Sequence, residues 1–250
     1  MPVIGFLRRF TSRPSWQFSI KSTIAQWNPQ ATLPRIRCTT AQFHLTVLAF
    51  MIPLLVSPVN WQRMSDAVDK IRFRLLHVSA CLRKAEVPYA VIGGNAVAAW
   101  VSRVDESAVR NTRDVDILLR REDLPAAIEA LQAAGYTHRR VASLGGGAMD
   151  VFLDTPEGKI RDAVHVLFAG EKPKQDALYA NAEVDDSEDV GEFTLISLDA
   201  LVRMKLAAWR DKDRVHLRDL ADVGLLDRTM ASFLDSTLAS RLLHILDQPE

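Results

Sequence analysis

Tyr89-Ala90-Val91-Ile92 runs into Gly93-Gly94-Asn95-Ala96, and after a short interval comes Arg110-Asn111-Thr112-Arg113-Asp114-Val115-Asp116-Ile117-Leu118-Leu119. Four apolar residues ahead of a glycine pair read as a buried strand that ends in a turn and opens a helix. The second run reads as a loop followed by a strand with two carboxylates one residue apart. Side chains at i and i+2 of a strand share a face, so Asp114 and Asp116 project together while Val115, Ile117 and Leu119 turn into a core. Two like charges held side by side repel, and a cation between them removes that cost. Mg²⁺, a hard ion bound by one or two carboxylates plus substrate phosphates, suits this pattern. The alternative is an exposed strand face, or one aspartate paired with Arg113 or Arg110.

Together, Gly93-Gly94, the Arg110-x-Thr112-Arg113-Asp114-x-Asp116 stretch and a later basic helix around Lys205 resemble the nucleotidyltransferase superfamily that includes DNA polymerase beta. Within it the resemblance is to minimal nucleotidyltransferases, aminoglycoside nucleotidyltransferases and AbiEii-type toxins, and it spans residues 64–226. It implies that the glycine turn presents backbone N–H groups to a nucleoside triphosphate and that the paired aspartates ligate Mg²⁺. An acceptor hydroxyl then attacks the α-phosphorus and pyrophosphate leaves. The donor it implies is an NTP, ATP first. The acceptor is an RNA end, a small molecule or a protein, and the AbiEii likeness adds a cognate protein partner in a toxin–antitoxin setting.

Composition bounds the rest. Two cysteines, Cys38 and Cys81, support neither a disulfide framework nor a thiolate zinc site, and point to a reducing, cytoplasmic compartment. Net charge is zero, but seven of the 31 Lys/Arg and none of the 31 Asp/Glu fall in residues 1–63, leaving 24 basic against 31 acidic residues beyond. An acidic body argues against sequence-independent nucleic-acid binding. The apolar run Leu45–Val59 contains Pro53 and Pro58 and is shorter than a membrane helix requires, so no stable membrane association is expected. Residues 1–63 are an atypical basic and apolar extension outside the fold, with three readings open: a targeting sequence, a packed extension, or translation from upstream of a natural start at Met64.

The fold class expected is α+β. A nucleotidyltransferase-like mixed sheet flanked by helices occupies residues 64–196, and C-terminal helices pack on it over 197–250. Helices are predicted over 66–86, 95–101, 122–134, 198–209, on through Val223, and 230–246, from apolar residues spaced three or four apart. Strands are predicted over 89–92, 114–119, 136–141, 149–153, 160–168 and 193–196. The polar stretch 102–113 reads as a mobile loop over the site, and 169–190, with its acidic cluster, reads as a loop throughout.

Gly93 and Gly94 could bind phosphate or simply form a tight turn. No Walker A or Gly-x-Gly-x-x-Gly pattern occurs, and Gly145-Gly146-Gly147 lacks a strand-then-helix context. Thr112 could steady the strand entry and Arg110 could reach a phosphate, or both could be solvated loop residues.

The family's third carboxylate is replaced here by His165, in Ala163-Val164-His165-Val166-Leu167-Phe168. A histidine could accept the acceptor's proton, or the change could mark weakened activity in a protein that only binds nucleotide or partner. A two-residue hairpin at Glu157-Gly158 would set Asp150 opposite His165, as the missing carboxylate or as its orienter, unless the two are a surface pair. Lys205, Trp209 and Lys212 would share a face of one helix, flanking a triphosphate or lying on a solvated, ion-paired surface. Arg218 and Asp219 read as structural ion-pair residues.

Overall fold

The computed structural model describes residues 60–142 and 147–248. Residues 1–59, including the expected extension up to that point, lie outside the described residues, as do Gly145 and Gly146 of the glycine run. The elements are α1 (Trp61–Lys84), β1 (Tyr89–Ile92), α2 (Gly93–Ser102), β2 (Val115–Leu119), α3 (Leu124–Ala133), β3 (Thr137–Ala142), β4 (Ala148–Leu153), β5 (Val164–Phe168), β6 (Ser187–Asp189), β7 (Thr194–Ile196), α4 (Leu198–Ala208), α5 (Asp211–Asp222) and α6 (Ser236–Leu246).

The seven strands among the described residues form one mixed sheet in the order β3-β4-β5-β2-β1-β7-β6. At its centre β1 runs antiparallel to β2, while β2 pairs β5 and β1 pairs β7 in parallel. The period-two alternation of β2 sorts the two faces as expected. Val115, Ile117 and Leu119 join Val91, Val164, Val166 and Phe152 beneath α1 and α3. Ala90, Ile92, Leu118 and Leu195 face the opposite way, into a core closed by α2, α4, α5 and α6. The expected α+β architecture, a mixed sheet flanked by helices and followed by a helical C-terminal portion, is what the chain forms.

Helix α1 begins at Trp61, five residues ahead of the expected start, because the Asn60 Oδ1 accepts from the backbone N–H of Gln62 and Arg63. Its buried stripe of Leu75, Val78 and Leu82 follows the helical spacing. Buried Arg74 on the same helix grips Asp154, just past β4, with two donors at 2.7 and 2.5 Å, which fixes α1 across the sheet.

Four of the expected segments differ from the structure. Segment 169–190 contains edge strand β6, a Ser-Glu-Asp triplet that composition disfavours and that pairing with β7 holds in place. The strand expected over 160–168 starts only at Val164, since Ile160–Asp162 is a 3₁₀ turn. The helix expected over 230–246 is a 3₁₀ segment, Arg228–Phe233, followed by α6, whose Asp235 caps it through Oδ1. The stretch after α2 includes a 3₁₀ turn at Glu106–Ala108, capped by Asp105.

No helix among the described residues is long and apolar enough to cross a membrane.

Candidate active site

Strand β1 ends where α2 begins, and the junction is Gly93 with a φ of +71°, a conformation L side chains rarely adopt. The same residue lies against β2. Ile92 pairs with Asp116, and a Cβ on Gly93 would fall 2.0 Å from the Asp116 Oδ2. A Cβ on Gly94 would lie 2.9 Å from Thr112 Oγ1, so the second glycine makes room for the loop that enters β2. No side chain caps the N-terminus of α2, which begins at the glycine that abuts Asp116, so its first N–H groups and the positive end of its dipole lie uncapped beside that carboxylate.

Asp114 sits one residue ahead of β2 and is held from two sides. Asn95, in the first turn of α2, donates its amide to the Asp114 carbonyl at 2.8 Å, and the Thr112 hydroxyl donates to Oδ1 at 2.8 Å. Burial works to raise the Asp114 pKa, but the Thr112 hydroxyl, its own N–H, the Lys212 ammonium and His165 outweigh it, so the carboxyl is held below its usual value.

The parallel pairing of β2 with β5 sets Asp116 beside His165. Nδ1 of His165 lies 3.4 Å from Asp116 Oδ1 and 3.6 Å from Asp114 Oδ2. The other ring nitrogen, Nε2, is 2.7 Å from the Ile160 carbonyl, which can only accept, so Nε2 carries the proton. Burial opposes charge on the ring, but the Asp116 carboxylate, the Ile160 carbonyl and Asp114 prevail and raise its pKa. Asp114, Asp116 and His165 each offer one ligand atom, and these atoms all lie within 4.8 Å of one another. A donor set of two carboxylates and one imidazole, with a glycine keeping the space beside Asp116 clear, fits a divalent cation.

Asp150 does not belong to this group. The observed register is Asp150↔Val166 and Val151↔His165, one residue away from the expected pairing, and such a slip turns Asp150 to the opposite face of the sheet. The cause is the connection from β4 to β5. Instead of a two-residue hairpin it spans ten residues, 154–163, with a turn closed by the Gly158 N–H on the Thr155 carbonyl at 2.9 Å and then the 3₁₀ turn. Asp150 is buried and bonds His138 Nε2 at 2.8 Å.

The basic residues come from α4 and α5, which are two helices because Trp209 takes a left-handed conformation with a φ of +49°. Lys205, Trp209 and Lys212 therefore do not share one helical face. Trp209 caps α4 and packs against Arg241, Arg214 and His244. Lys205 is 5% exposed, and its Nζ donates to Asp213 Oδ1 at 3.2 Å and lies 3.0 Å from His216 Nδ1. Burial pulls the Lys205 pKa down, against the pull of Asp213 and Asp116. His216 is pushed down to about 4 by burial and by the Lys205 ammonium, so its Nδ1 is an acceptor for that ammonium. Arg210 donates to Asp213 Oδ2 at 2.6 Å while its side chain stays 60% exposed. Asp116 favours the charged forms of Lys205 and Arg210, Asp114 does the same for Arg210, and the Lys212 ammonium helps to hold the Asp114 carboxyl down. The carboxylates thus face a lobe of positive charge.

Arg110 is turned elsewhere: its Nε donates to buried Asp219 Oδ1 at 2.7 Å, tying the loop before β2 to α5. Asp219 is an ion-pair residue as read from the sequence, with Arg110 as partner. Sequence reasoning missed Asn95, Asp213 and His216. Asn95 lay next to the glycines and could have been found as a first-turn amide able to reach back to a neighbouring strand. The other two could not, since the break at Trp209 sets their phase.

The family model described as "Uncharacterised nucleotidyltransferase" matches residues 60–244. No curated protein matches the chain. Among solved structures, the antibiotic-resistance factor ANT(2'')-Ia in solution is similar at 12% identity, covering 72% of this chain and 93% of that one with a TM-score of 0.43. An antigenic nucleotidyltransferase-like protein from Paracoccidioides brasiliensis shares 12% identity over 72% and 89% of the two chains, TM-score 0.42. The Megavirus polyadenylate synthase shares 10% over 80% and 41%, TM-score 0.43. Matched over most of its length by that family model, the chain belongs to the uncharacterised nucleotidyltransferases and is an enzyme of that class.

Proposed function

We propose that this enzyme transfers a nucleoside monophosphate from an NTP, ATP in the first instance, to a hydroxyl acceptor, with Asp114 and Asp116 holding a divalent cation, Mg²⁺ in the simplest case. The observation that carries this reading is the convergence of both aspartates and His165 Nδ1 at the C-terminal end of β1, beside an uncapped helix N-terminus. A protein that had lost its chemistry has no need to keep two repelling carboxylates there, and the third position is filled rather than vacant.

The bound cation would neutralise phosphate charge and polarise the α-phosphoryl group. Gly93, Gly94 and the first N–H groups of α2 receive the phosphate oxygens, since glycine permits close backbone approach and the helix end favours anions. Lys205, Arg210 and Lys212 supply the opposing positive charge. Lys205 is oriented by Asp213 and His216, and Arg210 by Asp213. The acceptor oxygen forms the new bond to the α-phosphorus as the bond to the β-phosphate oxygen breaks, and pyrophosphate leaves with that electron pair. His165 presents Nδ1 to the same point, as a third donor to the cation or as acceptor of the hydroxyl proton. Thr112 acts through Asp114. Arg110, engaged with Asp219, supports the loop.

A cognate protein partner and a toxin–antitoxin role rest on the AbiEii resemblance alone, and a cytoplasmic location on cysteine usage. Residues 64–196 as catalytic core and 197–250 as a helical cover remain our division of the chain.

The test is calorimetric titration of the full chain with ATP, GTP, CTP and UTP, each with and without a divalent cation, beside Asp116→Ala. Cation-dependent binding that the variant loses is expected, followed by label transfer from α-labelled NTP to an acceptor. Cation-independent binding, or binding the variant retains, overturns the site assignment.

A further inference from the structure

The geometry points to His165 Nδ1 as a direct metal ligand, which makes this a mixed nitrogen–oxygen site that selects a first-row transition dication over Mg²⁺. This inference rests on the metal-assisted reading above and refines it, replacing Mg²⁺ as its simplest ion by a transition dication.

Three observations converge. First, the two ring nitrogens are not equivalent. Nε2–H is committed to the Ile160 carbonyl at 2.7 Å, so the neutral ring directs its one lone pair, on Nδ1, toward the carboxylates. Metal-binding histidines characteristically donate their other N–H to a backbone carbonyl or carboxylate, which fixes tautomer and ring plane. Second, the carbonyl that does this is supplied by the 3₁₀ turn Ile160–Asp162, the same departure from a simple hairpin that removes Asp150 from the site. The turn replaces a carboxylate opposite His165 with a group that orients it. Third, Nδ1 lies 3.4 and 3.6 Å from one oxygen of each aspartate. Those spacings are a few tenths of an ångström wider than donors sharing one ion at about 2.1 Å and right angles, so the imidazole needs only a small inward movement to share an ion with either carboxylate, and the three ligand atoms all lie within 4.8 Å of one another.

The donor chemistry then decides the ion. Mg²⁺ takes oxygen ligands and sheds water reluctantly, so an imidazole gives it little. First-row transition dications accept nitrogen and oxygen together, with affinity rising from Mn²⁺ onward. Exchanging a third carboxylate for a neutral imidazole also lowers the negative charge of the site, which weakens attraction for any dication held by charge alone. Mn²⁺, tolerant of carboxylates and visible by its unpaired electrons, is the probe.

The experiment loads the full-length protein with Mn²⁺ and a non-hydrolysable ATP analogue and records electron spin-echo envelope modulation, with natural and ¹⁵N-histidine labelling. Competition with Mg²⁺ is measured by calorimetry on the wild type and on His165→Asp. A histidine nitrogen coupled directly to Mn²⁺ is expected, absent in His165→Asp. Mn²⁺ should bind the wild type tighter than Mg²⁺ by about tenfold or more, and the variant should lose most of that preference. Retained Mn²⁺ with no histidine coupling, or an unchanged Mn²⁺-to-Mg²⁺ ratio in a folded variant, overturns the inference and leaves the transferase reading standing. Failure to retain Mn²⁺ with the analogue at all overturns both. The wild-type spectrum decides the matter even where the variant fails to fold.

Discussion

Gly93 and Asp116 occupy adjoining space that admits no side chain: a Cβ on the glycine would stand 2.0 Å from the carboxylate oxygen, and the backbone there is left-handed at a φ of +71°. Gly93→Ala therefore combines backbone strain with displacement of Asp116. We expect a stability loss of about 1–3 kcal/mol, measurable by urea denaturation, and loss of cation-dependent nucleotide binding by calorimetry. Wild-type affinity in a folded Gly93→Ala variant would show that Asp116 can vacate its position without consequence.

Asp116→Asn should separate stability from function. The substitution keeps the shape but removes one of two adjacent negative charges, so the cation-free protein should be unchanged or slightly more stable, as strained functional sites allow. Transfer should fall by roughly a hundredfold or more, the scale of several kcal/mol of lost charge stabilisation. Thermal melting with and without divalent cation checks it. The wild type should gain stability from the ion, and the variant should not.

What the sequence made legible, and what it hid, divides along one physical line. The alternation of Val115, Asp116, Ile117, Leu118 and Leu119 places β2, its core side and its carboxylate side, because period two is enforced by burial on both faces. The glycine turn is legible because only glycine fits beside Asp116. The register of β4 against β5 was not, since it depends on how the ten-residue connection closes; the helix end at Trp209 was legible, but the phase of α5 against α4 was not, since nothing local marks a tryptophan for a left-handed cap. Strand β6 was hidden because a Ser-Glu-Asp triplet becomes a strand only when β7 offers its edge. Local pattern found the strand that carries Asp116; the contacts that complete the candidate site are set by long-range packing.

Thr112 reaches the proposed cation site through Asp114, by one hydrogen bond of 2.8 Å. Thr112→Val keeps the shape and removes that donor, so Asp114 loses both orientation and part of what holds its pKa down. Divalent affinity should weaken by about tenfold, the lower end for loss of a supporting hydrogen bond, and Thr112→Ser should restore most of it. Equal affinity in the valine variant would remove Thr112 from the site.

His216 gives the fold a measurable pH dependence. Its folded pKa is about 4, below the ordinary value near 6.5. In the window between them the unfolded chain binds a proton that the folded protein refuses. Stability from this group is therefore complete above about pH 6.5 and is lost as pH falls toward 4, by roughly 3 kcal/mol at most. Urea denaturation at pH 4.5, 5.5 and 7 should show a steeper acid loss in the wild type than in His216→Asn, which keeps an acceptor for Lys205 without titrating. Parallel slopes would mean that His216 is free to protonate in place.

The Lys205–Asp213 pair can be dissected because it is buried on both sides, the lysine 5% exposed and the aspartate fully enclosed. Lys205→Met alone leaves Asp213 with Arg210 as its remaining cation, and breaking one side of a buried pair typically costs about 3–5 kcal/mol. Arg210, bonded at 2.6 Å, should hold the loss to the lower end of that range. Lys205→Met with Asp213→Leu removes both charges and should recover much of the stability, since apolar replacement of a buried pair is often neutral. Nucleotide affinity should recover in neither, because the ammonium whose charge Asp116 favours is gone from both. Denaturation and calorimetry on the single and double variants therefore read two roles of one residue separately. Should affinity return with stability in the double variant, Lys205 serves the fold and the triphosphate is held by Arg210, Lys212 and the α2 N-terminus without it.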